Sequence, residues 1–483
     1  MPTASPRAGR RSRVARAVGR DLGRRRVPAR RLLLPALAVV ALALVVRLAY
    51  VGDAAPTLYT WQQPGVRMAL NYTEAARAIL DGDGILYPRV WPDPSETRLV
   101  SRPPGYPAFL AAVYATIGRS YADVLAAQSA LTALLPAVIL LLVTRVAGSR
   151  AGLAAGVLAA LSAPLGYHAA IVTPDALSAF LGVLLVAFVS AARRSRFRSA
   201  WLAAAGATVG LATWLRPNFL FLAPLLALAT PLAIGRGRHP WREAALMLAV
   251  ALAVVAPITV RNARIYGELV PVSANGGIVL WEGIADAGGR AYGARSRDLE
   301  VAAEEAIRFG DPRYAKTWAT PDGIARDRDR VRRSLEVIRA HPAWYAASVV
   351  RRSGEVLASG RAAEPVQPRP PELAADSPVV DHPAVRLAAA LALFRPPLRA
   401  LQGLAAGPAP LLAAAGLALL VVAAPRRALL LALVPAYVLL VQSPMHFEPR
   451  FALPKDAFTP ALVAVGLVGL AGAVARGARR YWM

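Results

Sequence analysis

Apolar residues in this chain come in long unbroken blocks. They follow neither the three-to-four-residue spacing of an amphipathic helix nor the alternation of a half-buried strand. Blocks of about twenty such residues match the hydrocarbon thickness of a bilayer. Ten of them can be placed, at 32–51, 122–147, 150–170, 173–192, 199–215, 218–235, 243–260, 408–424, 427–442 and 457–476. Two further apolar stretches, 105–118 and 384–400, are short or interrupted and read as interfacial helices or additional spans. The pattern predicts an all-α polytopic integral membrane protein of about 10–12 transmembrane helices.

The polar segments between the blocks set the organisation. Residues 1–31 hold eleven arginines and no apolar run, which predicts a disordered cytoplasmic tail. An N-terminal transmembrane module follows over 32–260, with a first extracytoplasmic loop at 52–121. Its first block lacks a small-x-small cleavage site and reads as a retained span, not a signal peptide. Residues 261–407 form a second long loop, and 408–483 a C-terminal transmembrane module. Within the second loop, VPVSANGGIVLW (270–281) predicts a hairpin around Asn275-Gly276-Gly277. VRRSLEVIRA (331–340) predicts a helix, and AEPVQPRPPELAADSPVVDHP (363–383) reads as a Pro-rich linker. The loop is therefore expected to be a small mixed α/β extracytoplasmic region.

Charge fixes the orientation. Arginine-rich connections, ARRSRFR (192–198), GRGRHPWR (235–242) and the terminal ARGARR (475–480), fall on the same side as the N-terminal cluster if ten spans are counted. Both termini are then cytoplasmic, in an inner-membrane protein. The formal net charge of +27 invites a nucleic-acid reading, but the basic residues sit at span ends, where they orient the chain, so nucleic acid is not an expected partner. All of them are arginine except Lys316 and Lys455. The absence of cysteine rules out disulfides and thiolate metal sites. Five scattered histidines form no metal motif, so no metal-ligating residues are assigned. No cofactor is called for, and a divalent cation requirement is left open.

With this topology the polar clusters least explained by orientation lie on the outer face. They are SRPPGYP (101–107), Thr173-Pro174-Asp175, Arg216, Arg261-Asn262 and HFEPR (446–450). Arginine on the outer side runs against the positive-inside bias and calls for another reason. A shared anionic ligand such as a lipid phosphate fits, because the guanidinium fork matches phosphate oxygens bidentately. Each residue also has a plainer reading. Asp175 suits a helix start, with Thr173 as the N-cap, Pro174 at the first helical position and the helix dipole favouring an acid. Arg216, Arg261 and Arg450 are placed to snorkel, and Arg47, inside the outer half of the first span, is placed either to serve the same site or to snorkel. Glu448 and His446 beside Arg450 provide an ion pair that orients it.

The ordered set of pieces resembles the GT-C membrane glycosyltransferases, specifically the protein O-mannosyltransferase-like and aminoarabinose-transferase-like group, glycosyltransferase family 39. The pieces are YTEAARAILDGD (72–83), RPPGYP, TPD opening a span, LRP, Pro257 before Arg261-Asn262, Asn275-Gly276-Gly277, His341-Pro342 and a late E-x-R-F-x-x-P (448–454). The resemblance covers about 32–475 of the chain. It implies transfer of a sugar from a polyprenyl-phosphate donor to an extracytoplasmic glycan, lipid or protein. It implies a catalytic carboxylate at Asp175. It implies donor-phosphate contact at Arg102, with Tyr72, Arg216, Arg261, Asn262, His446, Glu448 and Arg450 lining the substrate site.

One departure stands out. The family places an aspartate one helical turn before the tyrosine, and Met68 occupies that position here. Ser101 likewise stands where the aminoarabinose transferases carry an acid. Three alternatives remain open for the missing base: Asp53 at the mouth of the first span, Glu74 in a shifted helix, or a chain that keeps the fold and lipid site without the usual chemistry. Glu74 lies six residues beyond Met68, a rotation of about 240°, so it faces another direction on the same helix.

Overall fold

The structure is a computed structural model that describes residues 28–54, 64–85, 102–193, 195–235, 239–319, 322–361 and 383–481. The expected N-terminal tail, apart from its last few residues, and the Pro-rich linker, apart from its final Pro383, lie outside the described residues.

Among the described residues every regular element is helical. Six helices are long and apolar enough to cross a membrane: Arg30–Gly52, Tyr121–Ala147, Asp175–Ala192, Pro217–Ile234, Pro240–Tyr266 and Pro425–Gln442. Helices dominate because lipid offers no hydrogen-bond partner to a backbone, so each segment must satisfy its own N–H and C=O groups. Three further pairs qualify only together, each bent at a short break. They are Ser149–Ala160 with Ala163–Ala169 (46°), Arg395–Ala406 with Ala409–Ala423 (52°), and Pro449–Asp456 with Thr459–Ala475 (45°). Prolines account for the breaks, since Pro164, Pro408 and Pro460 each open the second helix of a pair and cannot continue the first. The protein is thus a multi-pass membrane protein with six to nine candidate spans, fewer than the ten expected.

The difference is the block at 199–215. It forms the helix Arg198–Leu215, but Arg198, Ser199, two threonines and two glycines hold its hydropathy down. Its glycines explain its place. A Cβ at Gly206 would lie 2.2 Å from the Met247 carbonyl oxygen, so the helix packs backbone to backbone against Pro240–Tyr266. Gly416 and Gly466 interlock in the same way, with a Cβ at either meeting the other helix's carbonyl at 2.0 or 2.2 Å.

The loop after the Pro240–Tyr266 helix is helical throughout the described residues, which corrects the expected α/β region. Asn275-Gly276-Gly277 opens a helix, Gly276–Asp286, instead of closing a hairpin. Ile278, Trp281, Ile284 and Ala285 recur at helical spacing and pack together with Ala294 and Val301. Asp327 caps this helix, accepting from the Ile278 N–H at 3.1 Å. Gly277 permits the approach, because a Cβ there would sit 2.1 Å from the Asp327 carbonyl oxygen. The expected helix at 331–340 forms within Gly323–Ala340. Its Arg326, Arg330 and Arg333 converge on the buried Glu305, at 2.8, 2.6 and 3.2 Å. His341-Pro342 then starts Pro342–Ala358, with proline in the first turn where no N–H is missed.

Candidate active site

Asp175 is the first residue of its span and is only 1% exposed. The turn that delivers it is fixed from below by Gln128. The Gln128 amide donates to the carbonyls of Ala169 (3.0 Å) and Ile171 (2.9 Å) and accepts from the Tyr106 hydroxyl at 2.9 Å. Arg216 meets Asp175 from the neighbouring helix. Pro217 ends that helix's register, leaving Arg216 extended at φ −141°, ψ 113°, and its Nη2 donates to Asp175 Oδ1. Asp175 Oδ2 is buried and has no hydrogen-bond partner among the described residues.

A second guanidinium arrives from the last bent span. Arg450 pairs with Glu448 through Nη2–Oε1 at 2.8 Å and Nε–Oε2 at 2.6 Å. Asp175 and Tyr72 lie within electrostatic reach of Arg450. Phe451 serves both arginines, with the Arg216 and Arg450 Cζ atoms each 5.1 Å from its ring centroid. Tyr72 closes the side formed by the Pro64–Leu80 helix. Its ring meets Tyr106 edge-on at 5.1 Å, and its hydroxyl accepts from Arg102 Nη1 at 3.4 Å. The folded chain therefore brings together Asp175, Arg216, Arg450, Glu448, Tyr72 and Arg102.

The outer helical region touches this cluster through His446. His446 Nδ1 lies 2.6 Å from Asp286 Oδ2, on the Gly276–Asp286 helix, and its Nε2 lies 3.8 Å from Glu448. Arg352 clamps the joint by donating to the Ser443 carbonyl at 3.1 Å and to that of Gly283 at 2.5 Å. Burial favours a neutral His446, but hydrogen bonds to Asp286 and Glu448, with the charges of Glu282 and Asp286, raise its pKa to about 10. Burial would raise Glu448, yet the His446 hydrogen bond and the Arg450 charge bring it down to about 2. Glu282 is the opposite case: burial, then the Asp298 charge, lift it to about 9, so it is neutral at pH 7.

These shifts have a sign. Glu448 stabilises the fold above its ordinary value of 4.5, and the contribution is lost as pH falls through about 2. His446 and Glu282 have raised values, so their contributions are complete below 6.5 and 4.5 and are lost as pH rises through about 10 and 9. The melting temperature of the detergent-solubilised protein is expected to fall between pH 7 and 10. His446→Gln should make that fall shallower, leaving only the part due to Glu282. Equal slopes would show that His446 stays neutral.

Other candidates go elsewhere. Arg261 Nη2 donates to the Ile85 carbonyl at 2.8 Å and its Nη1 to Asn262 Oδ1 at 2.9 Å. The Asn262 amide holds the carbonyls of Val270 and Val272, each at 3.0 Å, and so fixes the chain leaving the long helix. Glu74 is half-buried beside Arg77 and within reach of Tyr121, on a different face of its helix from Tyr72. Asp53 and Met68 sit on described helices, Ala29–Ala54 and Pro64–Leu80, but their side chains lie outside the described residues, as does Ser101. Arg47 does not snorkel. It is 1% exposed and turns inward, donating to Thr132 Oγ1 at 3.1 Å and to the Ala43 carbonyl at 3.2 Å. Among the described residues no group of three or more His, Asp or Glu is placed to hold a metal ion.

Several residues were missed from sequence. Gln128 had a signal, as the lone amide in an apolar span, and Phe451 as the aromatic following Arg450 in a charged turn. Asp286 had none, because its role depends on the docking of a distant helix. Lys455 and Asp456 form a buried ion pair in the last bent span, with the Ser359 hydroxyl donating to Asp456 Oδ2 at 3.2 Å. This pair ties the exit of the outer region to the membrane bundle.

The fold and site define a multi-pass helical membrane protein with a buried carboxylate and several arginines gathered at one end of its spans. Residues 101–260 match the model of the family described as dolichyl-phosphate-mannose-protein mannosyltransferase. Among solved structures, the apo oligosaccharyltransferase of Archaeoglobus fulgidus is similar over 90% of this chain and 50% of its own, at 14% identity and TM-score 0.50. The same enzyme in complex with an inhibitory peptide and a dolichol-phosphate matches at 16% identity, TM-score 0.47, over the same shares. ArnT from Cupriavidus metallidurans bound to undecaprenyl phosphate matches at 20% identity over 90% of this chain and 77% of its own, with TM-score 0.38. The chain spans half the length of the oligosaccharyltransferase, and the likeness is one of fold. No curated protein sequence matches the chain.

Proposed function

We propose that the protein is a glycosyltransferase that moves a sugar from a polyprenyl-phosphate donor to a glycan, lipid or protein on the outer face of the inner membrane, with both termini cytoplasmic. The observation that carries this reading is Asp175. It is a buried carboxylate with one oxygen held by Arg216 and the other without a partner among the described residues, flanked by a second guanidinium from Arg450. Such an arrangement suits an inverting displacement. The acceptor oxygen attacks the anomeric carbon while a carboxylate accepts its proton, and the carbon–oxygen bond to the lipid phosphate breaks. The departing polyprenyl phosphate gathers charge, which the arginines stabilise. Asp175 is the carboxylate this reading assigns, and Arg216, Arg450 and Arg102 the cations; Asp53 and Glu74 remain secondary candidates for a second acid. The orientation counts the Arg198–Leu215 helix as a further crossing, whose two ends pair with Glu243 and Asp175 on neighbouring spans, and the Arg-rich connections on the opposite side support it.

Transfer is tested in membranes supplied with polyprenyl-phosphate sugars, by following label into envelope material. Arg102→Ala is expected to raise the apparent KM for the donor about tenfold, since it removes one charge-assisted contact. Because its hydrogen bond is to the Tyr72 hydroxyl, the variant should still insert and fold. An unchanged KM would remove Arg102 from the donor site. A second reading rests on Met68 at the position of the expected acid: a lipid-binding protein of the envelope without transfer activity. It predicts polyprenyl-phosphate binding with no transfer from any sugar-lipid.

A further inference from the structure

Three buried polar atoms on the short segment before and into the Asp175 span have no partner among the described residues. They are His168 Nδ1, Thr173 Oγ1 and Asp175 Oδ2. Their residues are 8%, 3% and 1% exposed. A buried polar atom left unsatisfied costs about 1–3 kcal/mol, so folded chains rarely tolerate one, and three on one segment call for a reason. Slack in the backbone is not that reason. Gln128 grips the carbonyls of His168, Ala169 and Ile171 at 3.4, 3.0 and 2.9 Å, and the Thr173 N–H closes a tight turn on Ile171 at 2.8 Å. The side chains are therefore held in place while their polar atoms go unused.

Nor are they scattered. His168 lies within electrostatic reach of Asp175, Arg216 and Arg450, and Thr173 shares the turn that delivers Asp175. One acceptor, one hydroxyl and one imidazole nitrogen can each exchange a hydrogen bond with a hydroxyl, which both donates and accepts. A ligand carrying several hydroxyls on one rigid frame would satisfy all three at once. We propose that His168 and Thr173, with Asp175 Oδ2, form the subsite for the sugar hydroxyls of the ligand and set its sugar specificity. The inference rests on the glycosyltransferase reading and deepens it: the arginines hold phosphate, and this segment reads the sugar.

The subsite has an unusual physical signature. With no ligand bound, Thr173→Val exchanges an unsatisfied hydroxyl for a methyl group of the same shape, which removes a cost instead of a bond. The variant should thus be at least as heat-stable as the parent while recognising sugar less well. The experiment uses the full-length protein in detergent. Binding is read by the thermal shift produced by undecaprenyl phosphate, and by the same lipid carrying mannose, glucose, galactose or arabinose.

In the parent, at least one sugar-bearing lipid is expected to bind more tightly than the bare lipid. Thr173→Val and His168→Leu should leave the bare lipid's affinity unchanged and weaken that sugar-lipid about tenfold, the loss of one hydrogen bond to a substrate hydroxyl. The proposal is overturned if no sugar-lipid binds better than the bare lipid. It is also overturned if both lipids weaken together in Thr173→Val, or if Thr173→Val melts lower with its sugar preference intact. Should His168→Leu not accumulate, Thr173→Val decides alone. A parent that prefers a sugar-lipid yet transfers nothing sinks the transferase reading and leaves the subsite standing.

Discussion

Replacing Asp175 with Asn is expected to abolish sugar transfer, lowering kcat about a hundred- to ten-thousandfold, the range lost with a general base. The variant should still fold. Asn keeps the oxygen that accepts from Arg216 and suits the start of a helix, while Arg216 remains partly exposed and can be hydrated. Because the Asn amide can still exchange a hydrogen bond with a sugar hydroxyl while no longer accepting a proton, the donor KM should stay close to the parent's. Single-turnover transfer in reconstituted vesicles separates the two quantities. Retained turnover in Asp175→Asn would reassign the base to Asp53 or Glu74, which are then tested in the same way. Loss of both binding and insertion would mark Asp175 as structural.

Arg216→Met is expected to have the largest effect on stability. It leaves the Asp175 carboxylate buried without its partner, a situation that costs about 3–5 kcal/mol. It also removes one of the two guanidiniums packed on Phe451. Adding Asp175→Asn to Arg216→Met should recover much of the lost stability, because the buried charge goes with it, and should recover no activity. The comparison is made on thermal unfolding of the single and double variants. If the double variant is no more stable than Arg216→Met alone, the ion pair contributes through packing and not through charge.

Asp175, Arg216 and Arg450 could be singled out because each is a charge placed at the end of an apolar block, on the side where orientation gives it no task. Their mutual arrangement could not be read, since nothing in the spacing of residues 175, 216 and 450 says that two arginines share Phe451. Arg261 and Asn262 show the converse. Their sequence context matches that of Arg216, yet their hydrogen bonds go to Ile85, Val270 and Val272. The glycines at 276 and 277 gave a turn signal that holds equally for a hairpin and for a helix start. Asp327, fifty residues on, chose the helix by capping it.

By itself, the sequence determined that this is a helical membrane protein, roughly where its spans lie, and which charged residues lacked a structural excuse. Those are local properties: the transfer energy of a block and the cost of a charge at its edge are set by neighbours along the chain. Only the tertiary structure decided which of those charges meet and where the apolar blocks bend. It alone showed that His168 Nδ1 and Thr173 Oγ1 stand buried without a partner among the described residues, beside Asp175. Partners from helices far apart in sequence are chosen by packing, where a glycine's missing Cβ or one amide's grip on three carbonyls sets positions that no local pattern encodes.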